Sequence, residues 1–199
     1  AAAMKQIAKS GKKILFVATK KQAKSIVAEA AKKLDMPYIT ERWPGGLLTN
    51  FSTIRKSIKK MDGIDKMKTD GTFDTLSKRE RLQIDRTREK LEINLGSIVK
   101  MNRMPAAIFI IDINKEHIAL KESAKLGIRS FAVTDTNTNP SLVNYPIPGN
   151  DDASKAISHI VDVVSKAISE GLSERSEQQD KKALEKQKKA KKIAEEAKK

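Results

Sequence analysis

The side chains able to do chemistry in this sequence are few in kind. It holds no cysteine and two histidines, His117 and His159, which excludes disulfides, thiolate nucleophiles and thiolate zinc sites and leaves a histidine-based metal centre short of ligands. Carboxylates follow apolar runs at three places, Asp112 and Glu116 after Ala106 to Ile111, and Asp135 after Arg129 to Val133. Groups so placed can bind a divalent ion, but their commoner work is to cap helices and turns, and a structural role is expected of these three. No catalytic residue, metal or cofactor is expected. The turn after the first apolar run reads Val17-Ala18-Thr19-Lys20-Lys21. It lacks the glycines that let a pyrophosphate approach the backbone, so neither a dinucleotide fingerprint nor a P-loop is present.

What the sequence has in quantity is positive charge. Its 199 residues carry 40 Lys and Arg against 25 Asp and Glu, a net +15. That exceeds what solubility asks of a domain and points to a polyanionic partner. The excess is not evenly spread. Residues 1–48 hold 10 basic and 3 acidic side chains, and residues 49–104 hold 14 and 8, whereas residues 105–171 hold 6 and 8; residues 172–199 hold 10 and 6. Clustered cations are what phosphate neutralisation requires, so an RNA-facing surface is expected before Pro105, with a further contribution from the tail. At 4% aromatic residues, a base-stacking platform is disfavoured and recognition of folded RNA by shape and backbone fits better. No apolar run reaches the roughly 20 residues that span a bilayer, and no membrane partner is expected.

The elements that must position these groups read as α/β. A helix ending near Lys9 precedes a buried strand, Lys13 to Ala18, and then a helix from Lys20 to Leu34 with Thr19 as its N-cap. Pro37 to Ile39 is a weak strand, and Arg42-Trp43-Pro44-Gly45-Gly46 a loop. Two helical stretches follow. Phe51, Ile54, Ile58 and Met61 stripe the first; the second opens on the capping box Ser77 to Glu80 and carries Ile84, Leu91, Leu95 and Ile98. Stripes this narrow are best buried against each other, as an antiparallel hairpin projecting from the body; a packed helical subdomain is the alternative. The α/β rhythm resumes with strands at Ala106 to Ile111, Arg129 to Val133 and Asn144 to Ile147, and a helix at His117 to Leu126. A last helix runs from Ala153 until Gly171 ends it, with His159 on or beside its packed face and Val163 on that face. The fold class is therefore a doubly wound parallel sheet, with 1–48 and 105–171 as body, 49–104 as inserted hairpin and 172–199 as a basic tail, an exposed helix or disordered.

The ordered blocks Lys13 to Lys20, Arg42-Trp43-Pro44-Gly45-Gly46-Leu47-Leu48-Thr49-Asn50, Asp70 to Phe73, Pro105 to Glu122, Asp135-Thr136-Asn137 and Ile147 to Ala153 together resemble the bacterial small-subunit ribosomal protein two family over about residues 5 to 171. The resemblance implies a flavodoxin-like α/β domain with an inserted coiled-coil hairpin, docked on small-subunit ribosomal RNA between head and body in the cytoplasm, and structural rather than catalytic. It also implies neighbouring small-subunit proteins as partners, among them the large first protein that captures messenger RNA. Carried onto this sequence, the expected RNA contacts are Lys20 and Lys21, then Arg42, Trp43, Gly45, Gly46 and Asn50 of the loop. Arg55, Lys56, Lys59, Lys60 and Arg103 join them on grounds of charge. Trp43 reads equally well as a hydrophobic plug, and His117 as a phosphate contact or a packing residue. The family's N-terminal Ala-Gly-x-His-x-Gly-His motif is absent, so the chain is expected to be an incomplete stretch of the full protein. Arg129 and the Lys/Ala-rich tail also depart from the family pattern. The competing readings are an α/β enzyme for a phosphorylated metabolite and an independent protein adaptor working through the hairpin.

Overall fold

The computed structural model describes the backbone of residues 1–196 and side chains through residue 179. Five strands, β1 (Ile14–Val17), β2 (Tyr38–Ile39), β3 (Ala107–Ile111), β4 (Arg129–Thr134) and β5 (Tyr145–Pro148), form one sheet in the order β2-β1-β3-β4-β5. Every pairing is parallel, with Phe16 opposite Tyr38 and Phe109, and Phe109 opposite Phe131. Because successive side chains point to opposite faces, the wholly apolar strands feed two cores at once. Ile14, Phe16, Phe109, Phe131 and Val133 face helices α1 (Ala2–Lys9), α2 (Lys21–Lys33) and α6 (Ser154–Glu196). Leu15, Val17, Ile108, Ile110 and Ala132 face α5 (His117–Lys125), the loop after β2 and the roots of α3 (Phe51–Thr69) and α4 (Lys78–Leu95). The result is a three-layer α/β/α body. Edge strand β5 carries Pro146 and Pro148, which an edge tolerates because one side of it has no ladder to join.

Several local expectations need correction. Thr19 does not cap α2; Lys20 holds the N-cap position with no side-chain cap bond, and Thr19 is engaged elsewhere. Gly171 does not end the last helix, which continues to Glu196. Its role is close approach: a Cβ at Gly171 would overlap the Lys5 carbonyl oxygen and lie 3.1 Å from the Ala8 Cβ, so only glycine lets α1 lie this near α6. Lys5 bridges Glu170 and Glu174 at 3.0 and 2.8 Å and Lys9 reaches Glu174 at 2.9 Å, which lowers the Glu174 carboxyl to about 2. His159 and Val163 are exposed; the packed face is Ile157, Val161, Val164 and Ile168. Within the expected tail, residues 197–199 and all side chains beyond 179 lie outside the described residues.

Candidate nucleic-acid interface

A doubly wound sheet offers a ligand crevice where its strand order reverses, beyond the carboxyl ends of β1 and β3. Here that crevice is filled by the chain itself. Glu116, 3% exposed, accepts bonds from the Thr19 backbone N–H at 3.1 Å and from the Thr19 hydroxyl, tying the β1 loop to the start of α5. Beside it the Lys20 ammonium lies 2.7 Å from Asp151, 2.6 Å from Asp152 and 3.5 Å from Asp112. Burial by itself would lower the Lys20 pKa, but the hydrogen bonds the ammonium donates to Asp151 and Asp152 outweigh it and hold it above its usual range. Asp112, at φ +68°, also accepts the Lys115 N–H, and Asp135 accepts those of Thr136 and Asp151. Oxygens of Asp135, Asp151 and Asp152 lie within 4.8 Å of one another, and Lys20 supplies the cation that two of them face. The strand-end carboxylates thus act as caps and ion-pair partners. The His117 ring Nδ1 lies 3.1 Å from the Asn114 carbonyl oxygen, and the ring is exposed.

The loop after β2 is organised by a residue that the sequence reading missed. Glu122 projects from α5 and is 8% exposed. One of its oxygens accepts the Trp43 indole N–H at 3.0 Å and the Gly46 N–H at 2.8 Å; the other accepts the Leu48 and Thr49 N–H groups at 3.0 and 3.1 Å and the Thr49 hydroxyl at 3.2 Å. Burial raises its pKa, yet the donors led by Trp43 bring it below the ordinary carboxylate value. Trp43 is therefore a plug with its polar tip satisfied, packed with Leu47, Leu48 and Ile39. Gly46 adopts φ +81°, a turn conformation that an L side chain resists. Arg42, Gly45 and Asn50 are left on the outside, Asn50 holding the Thr53 hydroxyl at 2.8 Å. A carboxylate in the buried stripe of α5, beside Ala119, Leu120 and Ser123, is the one signal that could have found Glu122.

Two acidic groups, Asp65 of α3 and Asp85 of α4, are engaged between the helices. Asp65 meets Arg88 at 2.8 Å, Lys68 meets Asp85 at 2.6 Å, and Arg55 donates to the Val99 carbonyl at 3.2 Å, so positions advance along one helix as they recede along the other. The Ser77–Glu80 capping box is formed. Lys56, Lys59 and Lys60 are exposed at helical spacing and, among the described residues, make no ion pair; the same holds for Lys21, Arg42 and Arg103. Of the expected contact residues, Trp43 and the Gly46 N–H are thus committed to Glu122, Lys20 to Asp151 and Asp152, and Arg55 to the Val99 carbonyl, while Lys21, Arg42, Lys56, Lys59, Lys60 and Arg103 present their charges outward.

A sequence model of the ribosomal protein S2 family matches residues 1–171. The chain belongs to that family. Its relatives include proteins named small ribosomal subunit protein uS2. That of Flavobacterium johnsoniae is 64% identical over 183 residues, covering 92% of this chain and 72% of that protein. That of Christiangramia forsetii is 66% identical over 173 residues, covering 87% and 58%. That of Bacteroides thetaiotaomicron is 58% identical over 175 residues, covering 88% and 63%. The chain thus spans about three-fifths to seven-tenths of the length of these S2 relatives. The strand order β2-β1-β3-β4-β5 is the flavodoxin-like one. Among the described residues, no helix is long and apolar enough to cross a membrane.

Proposed function

We propose that this S2-family chain is a structural component of the small ribosomal subunit that binds ribosomal RNA and supports translation without catalysing a reaction. The observation that carries this reading is the contrast between a self-filled crevice and an unpaired cationic surface. Where an α/β enzyme would hold a phosphorylated metabolite, Thr19, Glu116 and Lys20 close the space with the chain's own bonds. Cations that make no ion pair among the described residues, Lys21, Arg42, Lys56, Lys59, Lys60 and Arg103, stand instead exposed.

In this proposal residues 49–104 form an inserted hairpin that carries Lys56, Lys59 and Lys60 to RNA phosphates, away from a body made of 1–48 and 105–171. Gly45, Gly46 and Asn50 let a backbone approach the loop, with Trp43 and Glu122 fixing its shape and Lys20 and Arg55 holding the flanking chain in place. Neighbouring small-subunit proteins, including the messenger-capturing first protein, are the proposed protein partners, on the strength of the family resemblance. Sucrose-gradient sedimentation of the tagged chain from cells tests the reading. Comigration with small-subunit particles is expected, and confinement to the top of the gradient would overturn it.

A further inference from the structure

At the amino-terminal edge of the sheet, opposite the loops that carry Thr19 and Trp43, two clefts join. One, of about 620 Å³, lies between the end of α1 and the segment entering β3, with Lys12, Asn102 and Arg103 on its walls. The other, of about 330 Å³, runs between the segment entering β2 and the return from α4, with Lys32 and Tyr38 on its walls. Lys13, Lys100 and Met101 line both, so the two make one furrow.

Its charge is one-sided. Lys12, Lys13, Lys32, Lys100 and Arg103 line the furrow, and among the described residues its one lining carboxylate is Asp35, which Lys13 and Lys100 share at 2.9 and 3.2 Å. Sharing leaves both ammonium groups with protons to donate, and the Lys100 side chain is 89% exposed. Lys12, Lys32 and Arg103 are exposed and form no ion pair among the described residues. The Arg175 guanidinium rests against Gly11 at the end of the furrow, so closely that a Cβ at Gly11 would overlap it. The floor is apolar, with Met36, Pro37, Val99 and Met101 between the cations.

We propose that this furrow is a second RNA-binding surface, gripping the sugar-phosphate backbone of one RNA segment; the inference rests on the ribosomal reading above. A row of cations over an apolar floor suits phosphates on the rim with riboses between them. Base stacking has no platform, since Tyr38, the furrow's one aromatic side chain, is partly covered by Lys32, whose Nζ lies 5.9 Å from the ring centre. Five cations against one carboxylate call for an anionic partner, and a partner that spans the furrow must carry charge along its length, as an RNA strand does.

The test uses the full chain in small-subunit particles. Amine acetylation read by mass spectrometry should show Lys12, Lys32 and Lys100 losing reactivity on passing from free chain to particle, with Lys155, exposed on α6, as the unprotected reference. Because the chain has no cysteine, Asn102→Cys offers a unique tether for an iron chelate, and hydroxyl radicals from it should cut one contiguous stretch of RNA. Unprotected lysines would overturn the proposal. Protection without RNA cleavage would overturn it as well, by showing that an acidic protein fills the furrow. Failure of the unsubstituted chain to enter particles is a separate result, which tells against the ribosomal reading itself.

Discussion

Replacing Glu122 by glutamine removes one charge and no volume, and five donors converge on the group it alters. With the amide oxygen placed toward Leu48 and Thr49, the new NH2 faces the Trp43 indole and the Gly46 N–H; turned the other way, it faces the Leu48 and Thr49 N–H groups and the Thr49 hydroxyl. Trp43 and Leu48 are buried, at 6% and 2% exposure, so in either orientation one buried donor is left without an acceptor. A lost hydrogen bond to a charged acceptor is worth about 1.5–3 kcal/mol and an orphaned buried donor about 1–3 kcal/mol, which puts Glu122→Gln at about 3 kcal/mol. Alanine, which orphans both buried donors and leaves a void, should cost about 5 kcal/mol. With a urea slope of about 2 kcal/mol per molar, the glutamine midpoint falls by about 1.5 M. Trp43 is the only tryptophan, so its emission follows both unfolding and the loss of the buried contact. The native spectrum should shift to the red in the variant, whereas Glu29→Gln, on the exposed side of α2, should leave spectrum and midpoint alone. A Glu122→Gln midpoint within about 0.3 M of the unsubstituted chain, with unchanged emission, would refute the claim that this carboxylate organises the loop.

Other perturbations separate the remaining roles. Glu122 and Glu174 titrate lower in the folded chain than their ordinary 4.5, Glu174 at about 2, so the unfolded chain takes up protons first as pH falls. The stability they contribute is fully present above about pH 4.5 and is lost on acidification toward 2; urea midpoints should be flat from pH 7 to 5 and then fall, less steeply in Glu174→Gln. Lys20→Met leaves Asp151 and Asp112 without their cation and should cost about 3 kcal/mol by urea denaturation, while Lys21→Met stays within about 0.5. Gly171→Ala forces α1 away from α6; the strain exceeds the helix-propensity gain of about 1 kcal/mol, and the melting temperature should drop by about 6 °C. Lys59→Glu with Lys60→Glu should reduce incorporation into small-subunit particles with an unchanged melting temperature; normal incorporation would make that face merely solvated.

The parallel body was legible because its strands are buried on both faces and so read as unbroken apolar runs, Ile14 to Val17 and Ala107 to Ile111 above all. The capping box at Ser77 was legible because both of its partners lie within four residues. What escaped was long-range polar pairing. Glu122 and Trp43 lie 79 residues apart, and Lys20 and Asp151 lie 131 apart, so no local pattern announces either bond. Thr19 was misread for the same reason: its hydroxyl has a good local use as a cap, and a distant glutamate takes it instead. Gly171 shows the converse, a residue whose ordinary meaning as a helix stop yields to the packing of a neighbouring helix.

The bond between Glu122 and the Trp43 loop also sets an order on the chain's history. Synthesis runs from the amino end, so Trp43 and all of α3 and α4 are made before Glu122 exists. Through that interval β1 has one of its two final neighbours, since β3 begins at Ala107. The paired helices can close on contacts made earlier in the chain, Asp65 with Arg88, Lys68 with Asp85 and Arg55 with the Val99 carbonyl, while the Trp43 loop still lacks its acceptor. Only when α5 emerges does one carboxylate seat Trp43, Gly46, Leu48 and Thr49 together. The loop that leads into α3 therefore takes its final bonds only after both of the helices that follow it have been made.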